Sequence, residues 1–155
     1  MSFLSLGVGA IVALAGVGGK HKCVSGIMTC MTIWESGRES KLLDDIIAGR
    51  KTVEGRLKRG KFAQYCVGDI IKLRRDIRDQ DGVLCDGELD QARVKIVVIR
   101  EYPNFLSLCQ AEGYRRVIPH AASVVEAADE YNKYYSTNEQ VDCGVLAVEI
   151  RTVHC

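Results

Sequence analysis

Gly49, Lys51, Glu54 and Arg56 spell G-x-K-x-x-E-x-R directly after the apolar run LLDDII. The pattern sets an ammonium, a carboxylate and a guanidinium within one short stretch. Side chains alternate between faces on a strand, so Thr52, Glu54 and Arg56 share one face. Lys51 stands at the corner between the preceding helix and that strand, and reaches the same face if the corner bends inward. The cluster then offers a fixed cation, an acceptor and a planar fork suited to bidentate contact with a phosphate or a base edge. Glu54 between cations has a lowered pKa, which suits an acceptor or a base. Lys51, desolvated beside Arg56, also has a lowered pKa and can act as base or nucleophile. The competing reading is structural: a Glu54–Arg56 or Glu54–Lys51 ion pair that only holds the corner together.

The wider charge distribution bears on the choice. From Arg50 to Arg78 there are ten Lys or Arg against three acids, and from Glu101 to the end four against eight, although the net charge is only +1. This polarity predicts an electropositive region that attracts anions, or else a solvated face. Lys58, Arg59, Lys61, Lys72, Arg74 and Arg75 form the basic surround, and each phosphate they neutralise adds to binding and to its salt sensitivity. Phe62 and Tyr65 interleave with them, either as a base-stacking platform or as aromatics closing the end of a small barrel. His120 reads as a loop histidine. Tyr131, Tyr134 and Tyr135 read as helix packing, and Arg115 and Arg116 as locally paired cations.

The 155 residues suit one domain with a core of its own. Seven scattered cysteines without a C-x-x-C pair, and three histidines far apart, predict no metal site and no cofactor. Reduced thiols in a cytoplasmic or nuclear compartment follow as the expectation. Residues 1–30 differ in texture from the rest. The uncharged stretch 3–19 contains five glycines and lacks a preceding positive charge, so a disordered or dispensable extension, a membrane-associated segment and a cleaved signal are all open. Met28 or Met31 is an alternative start.

The elements that must position these groups follow from periodicity. Ser36-Gly37-Arg38-Glu39 has the form of a capping box, and Leu42, Leu43, Ile46 and Ile47 recur at helical spacing until Gly49. Residues 52–57 read as a strand, 66–69 as a turn, IIKLRR as a half-buried strand and 77–90 as an exposed loop or hairpin tip. Ala92 to Tyr102 is the strongest strand. Asn104 caps a helix through Glu112. Ser123 and Glu126 form a second box, opening a helix to about Tyr135 with Val124, Val125, Ala128, Tyr131 and Tyr135 as its apolar stripe. Gly144 to Val153 alternates as a closing strand. The predicted fold class is α+β, a small mixed barrel with helices on its flank.

With these residues in place, the region 31–153 resembles the ASCH domain family of the PUA-like superfamily. The resemblance rests on G-x-K-x-x-E-x-R after an apolar helix, the G-D turn at Gly68-Asp69, the strand and short helix VVIREYPNFLSLCQAEG, Pro119, the tyrosine-ended helix EAADEYNKYY and the closing GVLAVEI. It implies a PUA-like β-barrel with flanking helices in an ASCH-like domain spanning 31–155. Its cleft would be lined by the motif and would take RNA or a nucleotide, with Arg50, Lys51, Arg56, Lys58, Arg59, Lys61, Arg74 and Arg75 as the RNA-binding set. Two alternatives stay open. One is a hydrolase of RNA or of a modified nucleoside, of the ribonuclease or N4-acetylcytidine amidohydrolase type, with Lys51 and Glu54 catalytic. The other is a coactivator-type module that binds protein partners. The amidohydrolase branch has threonine where this chain has Glu54, and Glu112 is only a loose match to its further acid.

Overall fold

The computed structural model describes residues 31–154. The N-terminal extension, its apolar stretch 3–19 and the alternative start at Met28 therefore lie outside the described residues. Among the described residues, no helix is long and apolar enough to cross a membrane.

Five strands form one sheet: β1 (Ile33–Glu39), β2 (Val53–Leu57), β3 (Ile70–Arg78), β4 (Leu84–Tyr102) and β5 (Val145–Thr152), in the order β1-β3-β4-β5-β2. The β1–β3 pair is parallel and the others are antiparallel. Helix α1 (Ser40–Ile47) joins β1 to β2. Helices α2 (Phe105–Glu112), α3 (Tyr114–Val117), α4 (Val124–Asn132) and α5 (Thr137–Cys143) all fall between β4 and β5, and a 3-10 turn, Gly60–Gln64, follows β2. The architecture is α+β. The sheet curls until its two edge strands, β1 and β2, face one another through the Arg38–Glu54 side chains.

Alternation along β2 and β5 divides the core in two. Val53 and Leu57 with Val145 and Ala147 face Phe105, Leu108, Ala127 and Tyr131 of the helices. Leu146, Val148 and Ile150 face inward with Leu43, Ile71, Leu73, Val94 and Ile96. Glu54 pairs with Val148 and Arg56 with Leu146, so both point into the curl of the sheet.

Three sequence expectations need correction. Ser36 does not cap a helix: β1 runs through it to Glu39, in parallel register with β3, and Ser36 Oγ instead accepts a hydrogen bond from Arg38. Long-range pairing outweighs the local capping pattern there. Residues 77–90 are mostly strand. The β3–β4 ladder continues past bulges to Arg78↔Leu84, leaving a short turn in which Asp79 accepts from the Asp81 and Val83 amides. Val125 is exposed, and the buried face of α4 is Ala127, Ala128 and Tyr131.

The caps at Asn104 and Ser123 form as expected, accepting from the amides of Ser107 and Glu126. The full capping box belongs to Ser136 and Glu139 at α5. Cys85, Cys109 and Cys143 are free thiols.

Candidate functional site

The corner that carries the motif is built by backbone capping. Gly49 takes φ 72, and the amides of Arg50 and Lys51 both donate to Asp45 O, turning the chain out of α1. Thr52 N then donates to Arg116 O, which ties the corner to the end of α3. Lys51 is thereby folded inward and is 2 % exposed. Its Nζ donates to Val53 O and Val117 O and lies 3.9 Å from Glu54 Oε1. Burial, only partly opposed by Glu54 and reinforced by Arg56 and Arg38, brings its pKa down to about 8.

Glu54 is the centre of a buried quartet. Its Oε1 accepts from Arg38 Nε at 2.9 Å and its Oε2 meets Arg56 Nη2 at 3.1 Å. Burial alone would raise its pKa, but Arg38, Lys51 and Arg56 outweigh that and hold it at about 2. Glu54 is therefore an acceptor and an anion across the physiological range. Burial, together with repulsion from Arg56, lowers the Arg38 pKa against the pull of Glu54. Arg56 also donates to Gly55 O and lies 5.3 Å from the Phe62 ring centroid.

Between Glu54 and Arg56, Gly55 presents no side chain to the helical layer. A Cβ there would sit 2.8 Å from the Tyr131 ring, whose hydroxyl accepts from Gly55 N. Tyr131 can lie flat against β2 only because of this glycine, and it stacks on Phe105 at 4.3 Å.

The quartet forms the floor of a cavity of about 360 Å³. Tyr131, Tyr134, Tyr135, Leu42 and Ile118 contribute its walls, and His120 also lines it. Lys41, Arg78 and Lys133 supply further cations, with Glu39 and Glu130 as counter-charges. Arg78 pairs with Glu39 at 3.1 Å and Lys133 with Glu130 at 2.6 Å. Tyrosine faces beside fixed cations are suited to an aromatic anion such as a nucleotide.

Of the sequence-predicted set, Lys51, Glu54 and Arg56 come together in this cavity; the remaining cations lie elsewhere. Arg50 pairs with Asp45 at 2.7 Å, Lys58 with Glu101 at 2.8 Å and Arg59 with Glu139 at 2.9 Å. Arg75 pairs with Asp44 at 2.8 Å, while Arg74 meets Asp76 and Asp86, both at 2.6 Å. Lys61 donates to Glu35 O and, with Lys72 and Arg74, lines a separate groove beside β1. Tyr65 is buried against the half-buried rings of Trp34 and Phe62. Glu112 is bound by Arg100 and Tyr102 and does not line the cavity. Among the described residues, no group of three His, Cys, Asp or Glu is placed to hold a metal ion.

Arg38 is the functional candidate that sequence reasoning missed. Its neighbours matched a helix cap, and its approach to Glu54 depends on curling the whole sheet. Lys41, Arg78 and Lys133 were missed for the same reason, since three separate elements bring them to one rim.

Comparison with known proteins gives the following. The crystal structure of hypothetical protein PH0355 is 30% identical, with 79% of this chain and 100% of that one aligned at a TM-score of 0.66. The solution NMR structure of protein PF0455 from Pyrococcus furiosus is 27% identical, covering 80% and 100% of the two chains at a TM-score of 0.62. No curated protein matches the sequence. The sequence profile described as the ASCH domain matches residues 39–151.

Proposed function

The chain belongs to the ASCH domain family, and on that premise we propose that it binds RNA or a nucleotide in the cavity floored by Lys51, Glu54 and Arg56. The family is a PUA-like one, generally linked to RNA binding. The observation that carries the reading is the charge of the floor: two buried cations, Arg38 and Lys51, and the half-buried Arg56 around a single carboxylate, under tyrosine walls. Anions are attracted to such a site, and a base has aromatic faces to stack on.

Fluorescence anisotropy of a labelled single-stranded RNA, titrated with the full chain at low and physiological salt, tests it. Binding that weakens with salt, and weakens further in Arg56→Ala, is expected. A folded wild-type protein that binds no RNA at low salt removes the RNA reading. The outlying cations, Lys58, Arg59, Arg74 and Arg75, contribute graded losses if the strand continues beyond the cavity.

A hydrolase is the second reading, supported by the lowered Lys51 pKa beside an ionised Glu54. Incubation of RNA and of N4-acetylcytidine with wild type and Glu54→Gln distinguishes it from simple binding. Turnover that Glu54→Gln abolishes without unfolding the protein establishes an enzyme.

A further inference from the structure

Among the described residues, Arg38, Lys51 and Arg56 share Glu54 alone, so the quartet carries a formal excess of two positive charges, three minus one. At the rim, Glu39 matches Arg78 and Glu130 matches Lys133. Lys41 adds one further positive charge at the rim, so most of the excess sits at the floor, where leaving it unpaired costs most. Donors remain there as well. Arg38, 4% exposed, uses Nε on Glu54 and Nη1 on Ser36 Oγ and Gly37 O. Its Nη2 makes no hydrogen bond among the described residues. Among the same residues, Arg56 Nε is buried without a partner.

Charge and room then discriminate among the phosphates of a nucleic acid. An internal phosphodiester carries one negative charge and a nucleoside on each side, so two chain segments would have to share about 360 Å³ to bring it to the floor. A terminal phosphate monoester carries about −1.5 to −2 near neutral pH and has a nucleoside on one side only. It matches the excess charge and needs a single way out past Tyr131 and Tyr134.

We infer that the cavity recognises a terminal phosphate monoester, on the end of an RNA strand or on a free nucleoside monophosphate, with Arg38 and Arg56 as its ligands. The inference rests on reading this cavity as an RNA or nucleotide site, and it adds Arg38, outside the G-x-K-x-x-E-x-R motif, to the binding groups.

The test titrates the full chain into three otherwise identical, internally labelled single-stranded RNAs: one with a 5′-phosphate, one with a 3′-phosphate and one with neither. Adenosine monophosphate and adenosine are measured in parallel by calorimetry. A phosphorylated end is expected to bind at least about tenfold tighter than the unphosphorylated strand, as charge-assisted bidentate contacts give. Arg38→Gln should erase that preference and Arg38→Lys reduce it, with thermal unfolding of both variants checked alongside. Equal affinity for all three RNAs overturns the inference and leaves the RNA cleft standing. Tenfold preference for adenosine monophosphate over adenosine, without binding of any RNA, sustains the inference with a free nucleotide as the source and removes the RNA reading. If no ligand binds the folded wild type, both fall.

Discussion

Glu54 and Lys51 show how burial sets opposite demands within one site. The Glu54 pKa is about 2 in the fold, below its ordinary 4.5. Its contribution to stability is therefore complete above pH 4.5 and is lost as pH falls through about 2, amounting to about 3 kcal/mol. Urea unfolding as a function of pH should show this acid-side loss in the wild type and a flatter profile in Glu54→Gln. That variant should also be less stable at neutral pH, because the buried Arg38 and Lys51 and the half-buried Arg56 are left without their carboxylate. Lys51 gives a pH slope of the same sign, although here it is the charged form that the fold disfavours. Its pKa is about 8 instead of 10.5, so the protonated form opposes folding and stability rises as pH climbs through that interval. The same deprotonation removes a cation from the floor. Affinity for RNA, followed by anisotropy, should hold below about pH 8 and weaken above it; a pH-independent affinity would place the bound anion away from Lys51.

Strand β2 connects the two layers of the fold, with Glu54 and Arg56 on one face and Val53, Gly55 and Leu57 on the other. Gly55→Ala puts a methyl against the stacked Tyr131 ring and should cost about 1–3 kcal/mol by overpacking. It should also displace the tyrosine wall of the cavity, so equilibrium unfolding and RNA titration should both move. Affinity unchanged in a destabilised Gly55→Ala would mean that Tyr131 is only core. At α5 the effect should be confined to stability: Ser136→Ala removes the capping hydroxyl and should cost about 1 kcal/mol in urea unfolding. Local signals of this kind were legible. Asn104, Ser123 and the apolar alternation of GVLAVEI announced α2, α4 and β5 because their causes lie within a few residues. The same S-x-x-E form misled at Ser36 and went unread at Ser136. In the first case strand pairing with β3 prevailed; in the second the helix spans only Thr137–Cys143 and carries little apolar periodicity.

At the scale of the whole molecule, the open edges of the sheet are brought together by side chains. The Arg38–Glu54 pair links β1 to β2, the two ends of the order β1-β3-β4-β5-β2. Arg38→Met should loosen that closure, seen as faster amide exchange in Ile33–Glu39 and Val53–Leu57 while the β3–β4 ladder stays protected. Unchanged exchange would assign the closure to packing of the apolar interior instead. The amino-acid sequence by itself determined the α+β class, the family, the helix-to-strand corner and the grouping of Lys51, Glu54 and Arg56. Each of these depends on neighbours in the chain, through strand alternation, a glycine stop or a motif of fixed spacing. Tertiary structure alone decided that Arg38 completes the quartet, and that Arg50, Lys58, Arg59, Arg74 and Arg75 find separate carboxylates away from it. A charge's partner depends on which strands and helices meet, and a curled sheet joins residues that no spacing along the chain relates.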